Sequence, residues 1–200
     1  MTDPIEHVIA LMLENRAFDH ILGDCAKVRA HAGHGPDKFN QYNGTNCSQC
    51  AGAARQVTDD PHHETSDVLV QLAGNGSVPE NGGGVVLDYA RSYPRLGDPG
   101  EVMQYHADGT LPAFHTLAAS FTICDHWHAS VPGPTWPNRL FVMSGTSLGR
   151  VKMPNGIMSL NLHWYDQPTV FDRLNEKKKD WKVYFGDTPL SFLLVHQWEP

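Results

Sequence analysis

Long hydrophobic runs are missing from this chain of 200 residues. Its most apolar stretch, around residues 8–13, is too short to cross a bilayer. No charged start, apolar segment and small-residue cleavage pattern precedes it. A chain that begins naturally at Met1 would stay in the cytoplasm, but one trimmed to its domain would read identically, so no compartment is assigned. Positive charge is scarce too. With 15 Lys+Arg against 22 Asp+Glu and a net charge of -7, no basic stripe exists to neutralise a nucleic-acid backbone or an anionic membrane. Nucleic acid is not expected as a partner. Cysteine is limited to Cys25, Cys47, Cys50 and Cys124, which permit three full disulfide pairings. Cys47 and Cys50 form a CxxC pair not far from His31 and His34. A zinc clip of Cys25, Cys47, Cys50 and a histidine suits tetrahedral zinc, although a lone CxxC is a weak signal beside the plainer reading of a loop with free or paired thiols. No internal repeat is visible, and nothing in the sequence sets the oligomeric state.

What is present is an ordinary globular composition, 40% hydrophobic and 18% charged, long enough for one buried core. Residues 5–13 (IEHVIALML) are mostly apolar and suit a strand buried within a parallel sheet. Glu14-Asn-Arg-Ala-Phe-Asp-His follows, leading into a short helical turn closed by Gly23. Glu14 and Asn15 thus stand at a strand's carboxyl end, where open α/β sheets bind ligands. Residues 24–60, rich in Gly, Asn, Cys, Gln and His, read as a long surface insertion without a core element. Within them Asn43-Gly-Thr and Asn46-Cys-Ser match the glycosylation acceptor pattern, as Asn75-Gly-Ser does farther on. Helical spacing predicts a helix over residues 64–73, with a second helical or extended stretch ending near Tyr89. Residues 111–121 predict a helix with Pro112 in its first turn and Phe114, Leu117 and Ala118 on one face. A strand is expected over residues 122–125, a helix from Thr135 to Gly145, a helix over residues 169–178 and a strand over residues 181–185. The pattern is alternating α and β.

Thr135, delivered by the Gly and Pro turn Ser130-Val-Pro-Gly-Pro, can cap a helix N-terminus, where backbone N–H groups and the helix dipole favour a phosphate. An alcohol needs a base or a cation to attack phosphorus. Glu14 and the carbonyl of Asn15 are suitable ligands for a hard or borderline divalent ion. Each residue also has a plain reading: Thr before a helix is usually just a cap, Glu-Asn after a strand is usually turn chemistry, and His63 would by default be an exposed residue, with His62 equally eligible. Trp127, Trp136, Trp164 and Tyr165 can cage a cation by cation–π contact, which the resemblance given below would make choline, or, more ordinarily, pack a core.

A resemblance selects among these readings. IEHVIALMLENRAFDHILG resembles the opening signature of the bacterial phosphoesterase family that holds phosphocholine-type phospholipases C and related acid phosphatases. Asp60-Pro-His-His-Glu resembles its Asp-Pro-Gly-His segment, and residues 121–149 resemble its nucleophile block. The likeness runs from Ile5 to about Gly186, leaving the insertion after Asp24 without a clear counterpart. It implies an alkaline-phosphatase-like fold: a central, mostly parallel sheet flanked by helices. It further implies a divalent metal held by Glu14, Asn15 and Thr135, with Asn15 also able to touch a phosphoryl oxygen. Thr135 becomes the nucleophile, His63 a catalytic histidine that contacts phosphate or donates a proton, and Asn138 and Arg139 secure the nucleophile's helix or contact substrate. Ala17 stands where serine is common. A more serious departure is that the family's second ligand set, a pair of aspartates with further histidines, has no counterpart after Gly186. The 200 residues therefore read as the N-terminal part of a single, incomplete phosphoesterase domain. The implied function is metal-dependent hydrolysis of phospholipid phosphodiesters or, second, of small phosphate monoesters. The alternatives are a non-catalytic remnant that binds metal or phosphate, and a zinc-binding interaction module around Cys47 and Cys50.

Overall fold

The computed structural model describes residues 4–13, 16–28, 38–57, 59–73, 83–95, 97–153, 165–186, 191 and 194. Glu14, Asn15, His31, His34, Asn75 and Trp164 lie outside the described residues. Six helices appear among those described: α1 (Phe18–Leu22), α2 (Thr65–Ala73), α3 (Val85–Ser92), α4 (Pro112–Ser120), α5 (Thr135–Ser144) and α6 (Val170–Glu176). The strands are β1 (Phe39–Tyr42), β2 (Thr45–Ser48), β3 (Cys50–Ala51) and β4 (Gln104–Tyr105). They form two separate two-stranded ladders, β1 antiparallel to β2 and β3 parallel to β4. The class is mixed α and β. A mostly parallel central sheet is not formed by the described residues.

The expected first strand accounts for part of that difference. Residues 5–13 have no strand pairing, and their apolar side chains are open: Val8 is 87% exposed and Ile9 91%. A parallel strand exists only through neighbours that take up its N–H and C=O groups, and no described segment lies in ladder with this one. The strands expected over residues 122–125 and 181–185 are likewise not formed.

Residues 24–60 correct the opposite expectation, because they do carry structure. Asn43 and Gly44 both have positive φ, 49° and 77°, the geometry that closes a two-residue hairpin, so this Asn-Gly joins β1 to β2. Asn40 on β1 is buried, and its Oδ1 accepts the Val86 N–H at the start of α3 (3.1 Å). Cys25 and Val28 are buried with Ala118 of α4, against Phe18 and Leu22 of α1. Lys27 closes the same corner by donating to the Phe121 carbonyl beyond the C-terminal end of α4 (2.5 Å).

The helices follow their sequence signals more closely. Pro112 begins α4, where a missing N–H costs nothing. Its buried residues are His115 and Ala118, however, while Phe114 and Leu117 face outward at 41% and 57% exposure. Thr169 and Asp172 form a capping box at α6, each side chain bonded to the other's backbone N–H. Gly145, in the left-handed conformation at φ 71°, ends α5. A second apolar cluster joins Trp136 and Leu140 of α5 to Tyr165 and Leu194, with Met143, Met153 and Phe171 against it. Trp136 Nε1 donates to the Tyr165 hydroxyl at 3.0 Å, so both aromatics serve the core. Core packing, the more ordinary of the two readings of these aromatics, thus holds for Trp136 and Tyr165, while Trp127 is 81% exposed.

Candidate active site

The turn before α5 is held by one side chain. Asn138 Oδ1 accepts the Val131 N–H (3.0 Å), while its Nδ2 donates to the carbonyls of Val131 (3.0 Å), Gly133 (3.2 Å) and Pro134 (3.0 Å). Only one orientation of the amide satisfies this set, since the backbone presents one donor and three acceptors. Asn138, named from the sequence for substrate contact or support, thus has its carboxamide engaged by the loop backbone. Arg139 is half-buried and also holds interactions of its own.

Thr135 is the first residue of α5, not its cap; Pro134, in extended conformation, occupies the cap position and offers no side-chain bond. The N-terminal donors are fewer than a generic helix presents. Trp136 donates its N–H to Met153 Sδ at 3.4 Å, and Pro137 has none. The amide that this helix end offers beside the Thr135 hydroxyl is therefore chiefly that of Thr135 itself.

Gly133 sets the distance to the second motif. A Cβ at this position would lie 2.6 Å from Thr65 Oγ1, 3.4 Å from the Val151 carbonyl and 3.6 Å from Thr65 Cα. Thr65 begins α2 and donates its hydroxyl to Val151 O at 2.6 Å. The turn that delivers Thr135 and the segment that carries His63 thereby meet where Gly133 packs on Thr65. Thr65 was not singled out in the sequence; a small hydroxyl residue just after Asp60-Pro-His-His-Glu was its only signal.

The two adjacent histidines separate by geometry. His62 is exposed, its Nδ1 lies 3.0 Å from Ser92 Oγ, and its ring meets Tyr93 edge-on at 5.5 Å. His63 is half-buried and its Nδ1 lies 3.2 Å from the Pro61 carbonyl. A carbonyl only accepts, so Nδ1 carries the proton and Nε2 is the nitrogen left to accept from, or once protonated donate to, a ligand. Beside this segment Asp59, Ser92, Tyr93, Pro94, Arg95 and Gly97 line an open cleft of about 480 Å³. The Tyr93 hydroxyl donates to the Asp60 carbonyl (2.6 Å), and Tyr89 donates to Glu101 Oε1 (2.6 Å) and the Asp59 carbonyl (3.1 Å). Burial, then the nearby Asp59 and Asp60 charges, push the Tyr93 phenol up from its ordinary value.

A histidine network anchors the chain that leads away from Glu14 and Asn15. Arg16 donates to His20 Nε2 (3.3 Å) and to the Arg55 carbonyl (3.3 Å). The His20 and His106 rings meet edge to face at 5.0 Å, and His106 N–H donates to the His20 carbonyl. Burial, followed by the charges of Arg16 and His106, lowers His20 to about 4. Burial also lowers His106, with Arg16, Arg55 and His115 adding to it. His115 accepts the Gly109 N–H at Nδ1 (2.7 Å) and donates from Nε2 to the Ile21 carbonyl (3.0 Å). An Nδ1 that accepts carries no proton, so its 3.5 Å approach to Asp108 is not an operating ion pair.

Among the described residues no group of three or more His, Cys, Asp or Glu side chains is placed to hold a metal ion. Cys25 is buried in an apolar cluster and Cys50 exposed, so the zinc clip is not assembled there. Burial, then the Asp98 charge, push the Cys47 thiol up and make it less reactive.

Comparison with known proteins places these residues in context. The profile of the phosphoesterase family matches residues 5–197. The chain is 34% identical to non-specific phospholipase C6 of Arabidopsis thaliana over 194 residues, 94% of this chain and 36% of that protein. It is 30% identical to non-specific phospholipase C5 of the same plant, covering 94% of this chain and 38% of the relative. Phospholipase C A of Mycobacterium tuberculosis is 29% identical over 223 residues, 96% of this chain and 41% of the relative. The chain thus spans somewhat over a third of the length of these relatives.

Proposed function

Because this chain belongs to the phosphoesterase family, we propose that it is the N-terminal part of a single domain hydrolysing phosphate esters, with Thr135 as nucleophile. The observation that carries the reading is the close packing of Gly133 on Thr65, which brings the Thr135 turn against the His63 segment. Phospholipid phosphodiesters are the first substrate class, in keeping with relatives named as phospholipases C. Small phosphate monoesters are the second.

Chemically, the Thr135 hydroxyl releases its proton to solvent and its oxygen attacks phosphorus in line with the leaving alcohol, whose P–O bond breaks as the bond to Thr135 forms; water then cleaves the phosphoryl-threonine and the Thr135 oxygen regains a proton. The Thr135 N–H at the positive end of α5 donates to an equatorial phosphoryl oxygen as charge builds there. His63 uses Nε2 to hold a phosphoryl oxygen or to protonate the leaving alcohol, while its Nδ1 bond to Pro61 fixes the ring. Asn138 keeps the turn, and hence Thr135, in register. The open cleft next to the His63 segment gives a head group room. Carboxylate, amide carbonyl and hydroxyl are hard oxygen donors, so Glu14, Asn15 and Thr135 fit a divalent ion in kind. When bound, such an ion lowers the pKa of the hydroxyl and neutralises phosphoryl charge.

Hydrolysis of nitrophenyl phosphorylcholine and nitrophenyl phosphate, with and without added divalent metals, tests the proposal. The expected result is metal-dependent release of nitrophenol, faster from the choline diester, and lost in Thr135→Ala. Equal turnover by Thr135→Ala would overturn the nucleophile assignment. A folded chain without turnover would instead favour the non-catalytic reading.

A further inference from the structure

Residues 59–63 belong to no helix or strand, so their backbone carbonyls have no ladder to enter. A surface segment of this kind ordinarily leaves them to water. Here four carbonyls in succession accept side-chain hydrogen bonds. Tyr89 shares its one hydroxyl proton between Glu101 Oε1 (2.6 Å) and the Asp59 carbonyl (3.1 Å). Tyr93, just past the end of α3, gives its proton to the Asp60 carbonyl (2.6 Å). His63 Nδ1 donates to the Pro61 carbonyl (3.2 Å), and Gln71 Nε2 on α2 donates to the His62 carbonyl (2.7 Å). The second Nε2 hydrogen of Gln71 goes to Oδ2 of the buried Asp88 (2.8 Å), so both acceptors demand the same orientation of the amide. On the other side of His63, the Glu64 N–H donates to Asp67 Oδ2 (3.0 Å) in the first turn of α2.

We infer that Gln71 and Tyr93 are positioning residues for His63, holding the backbone on either side of the Pro61 carbonyl so that this carbonyl keeps the proton on Nδ1 and leaves Nε2 open to a ligand. The inference rests on the role proposed for His63. Its physical basis is the choice open to a neutral imidazole, which carries its proton on whichever nitrogen has the better acceptor. The Pro61 ring fixes its own φ and disfavours the helical region for Asp60, so the Pro61 carbonyl swings chiefly about the bonds that join Pro61 to His62. The Tyr93 bond to the Asp60 carbonyl and the Gln71 bond to the His62 carbonyl hold the peptide groups before and after it. A catalytic group displaced by about 1 Å loses about 10²-fold in rate, so loosening one of these two holds should cost about tenfold.

Nitrogen-15 NMR of the histidine side chains in the full chain tests it, with His63→Ala assigning the signal, and this readout needs no turnover. The expected result is the Nδ1–H form of His63 in the parent and a mixture of both tautomers in Gln71→Met and in Tyr93→Phe, where the Pro61 carbonyl no longer selects one. Tyr93→Phe removes a single oxygen, so it carries the test if Gln71→Met does not fold. With nitrophenyl phosphorylcholine, kcat should fall about tenfold in each variant with KM within about twofold, and neither substitution should lower kcat further in the His63→Ala background. An unchanged tautomer in the folded variants would overturn the inference. Equal losses of kcat with and without His63 would overturn it too, since plain support of the backbone acts regardless of that ring. Unchanged kcat in His63→Ala would instead overturn the catalytic role of His63, and the tautomer then decides the positioning by itself.

Discussion

Replacing Asn138 by alanine removes all four hydrogen bonds that hold the turn from Val131 to Pro134. Each is worth about 1 kcal/mol net, and stripping partners from partly buried backbone groups adds a desolvation penalty. The bonds share one side chain and one short loop, so their effects are not additive and a total of about 2–4 kcal/mol follows. For a chain of this size that corresponds to a loss of roughly 5–15 °C in thermal midpoint. Asn138→Asp sharpens the test. It is nearly isosteric and keeps the acceptor for Val131 N–H, but it turns a carboxylate toward three carbonyls where an NH₂ had donated. Aspartate should thus destabilise at least as much as alanine. Thermal unfolding followed by circular dichroism reads both variants, and exchange at the Val131 amide reports the loop itself. An alanine variant within about 0.5 kcal/mol of the parent, or an aspartate variant as stable as asparagine, would refute the claim that this amide pins the turn.

Further outcomes follow from the same geometry. His63→Ala should lower turnover by about 10²-fold with the thermal midpoint unchanged, whereas His62→Ala should leave turnover within a few-fold; the kcat values of the two variants decide this. Gly133→Ala should cost about 1–3 kcal/mol by driving a methyl into Thr65 Oγ1, and adding Thr65→Ala should return part of that loss, as a double-mutant cycle by urea unfolding would show. Acid should weaken the α1 region through His20, whose folded value of about 4 lies below the ordinary value near 6.5. Above about pH 6.5 the ring is neutral in both states and nothing is lost; between there and about pH 4 the unfolded chain takes up the proton first, and stability falls. His20 is only half-buried, so after solvent screening the loss is on the order of 1 kcal/mol. His20→Gln should flatten that part of the pH–stability curve.

What could be read from the sequence divides along a physical line. Helices α2, α4, α5 and α6 declare themselves locally, through apolar spacing, Pro112 in a first turn, Gly145 beyond a last turn and the Thr169–Asp172 box. Strands do not, because a strand is completed by another segment: residues 5–13 have the composition of a buried strand but pair with no strand among the described residues. The Asn43-Gly44 hairpin is legible in principle, since that dipeptide is a strong turn signal and both residues have positive φ, but the polar composition of residues 24–60 masks the short strands on either side of it. Helical spacing also misplaced the buried side of α4, where His115 turns inward because Gly109 and Ile21 supply both ring nitrogens with partners. Of the candidate site, residue identities came from motif resemblance, while the Gly133–Thr65 contact and the separation of His62 from His63 are tertiary facts that spacing does not contain.

One experiment addresses the nucleophile itself: acid-quenching the chain during reaction with nitrophenyl phosphorylcholine and a divalent metal, then locating any covalent phosphoryl adduct by peptide mass spectrometry. The expected result is a phosphocholine adduct on the peptide containing Thr135, retained in Thr135→Ser and absent from Thr135→Ala. An adduct on another residue, or turnover that proceeds undiminished in Thr135→Ala, would contradict the assignment.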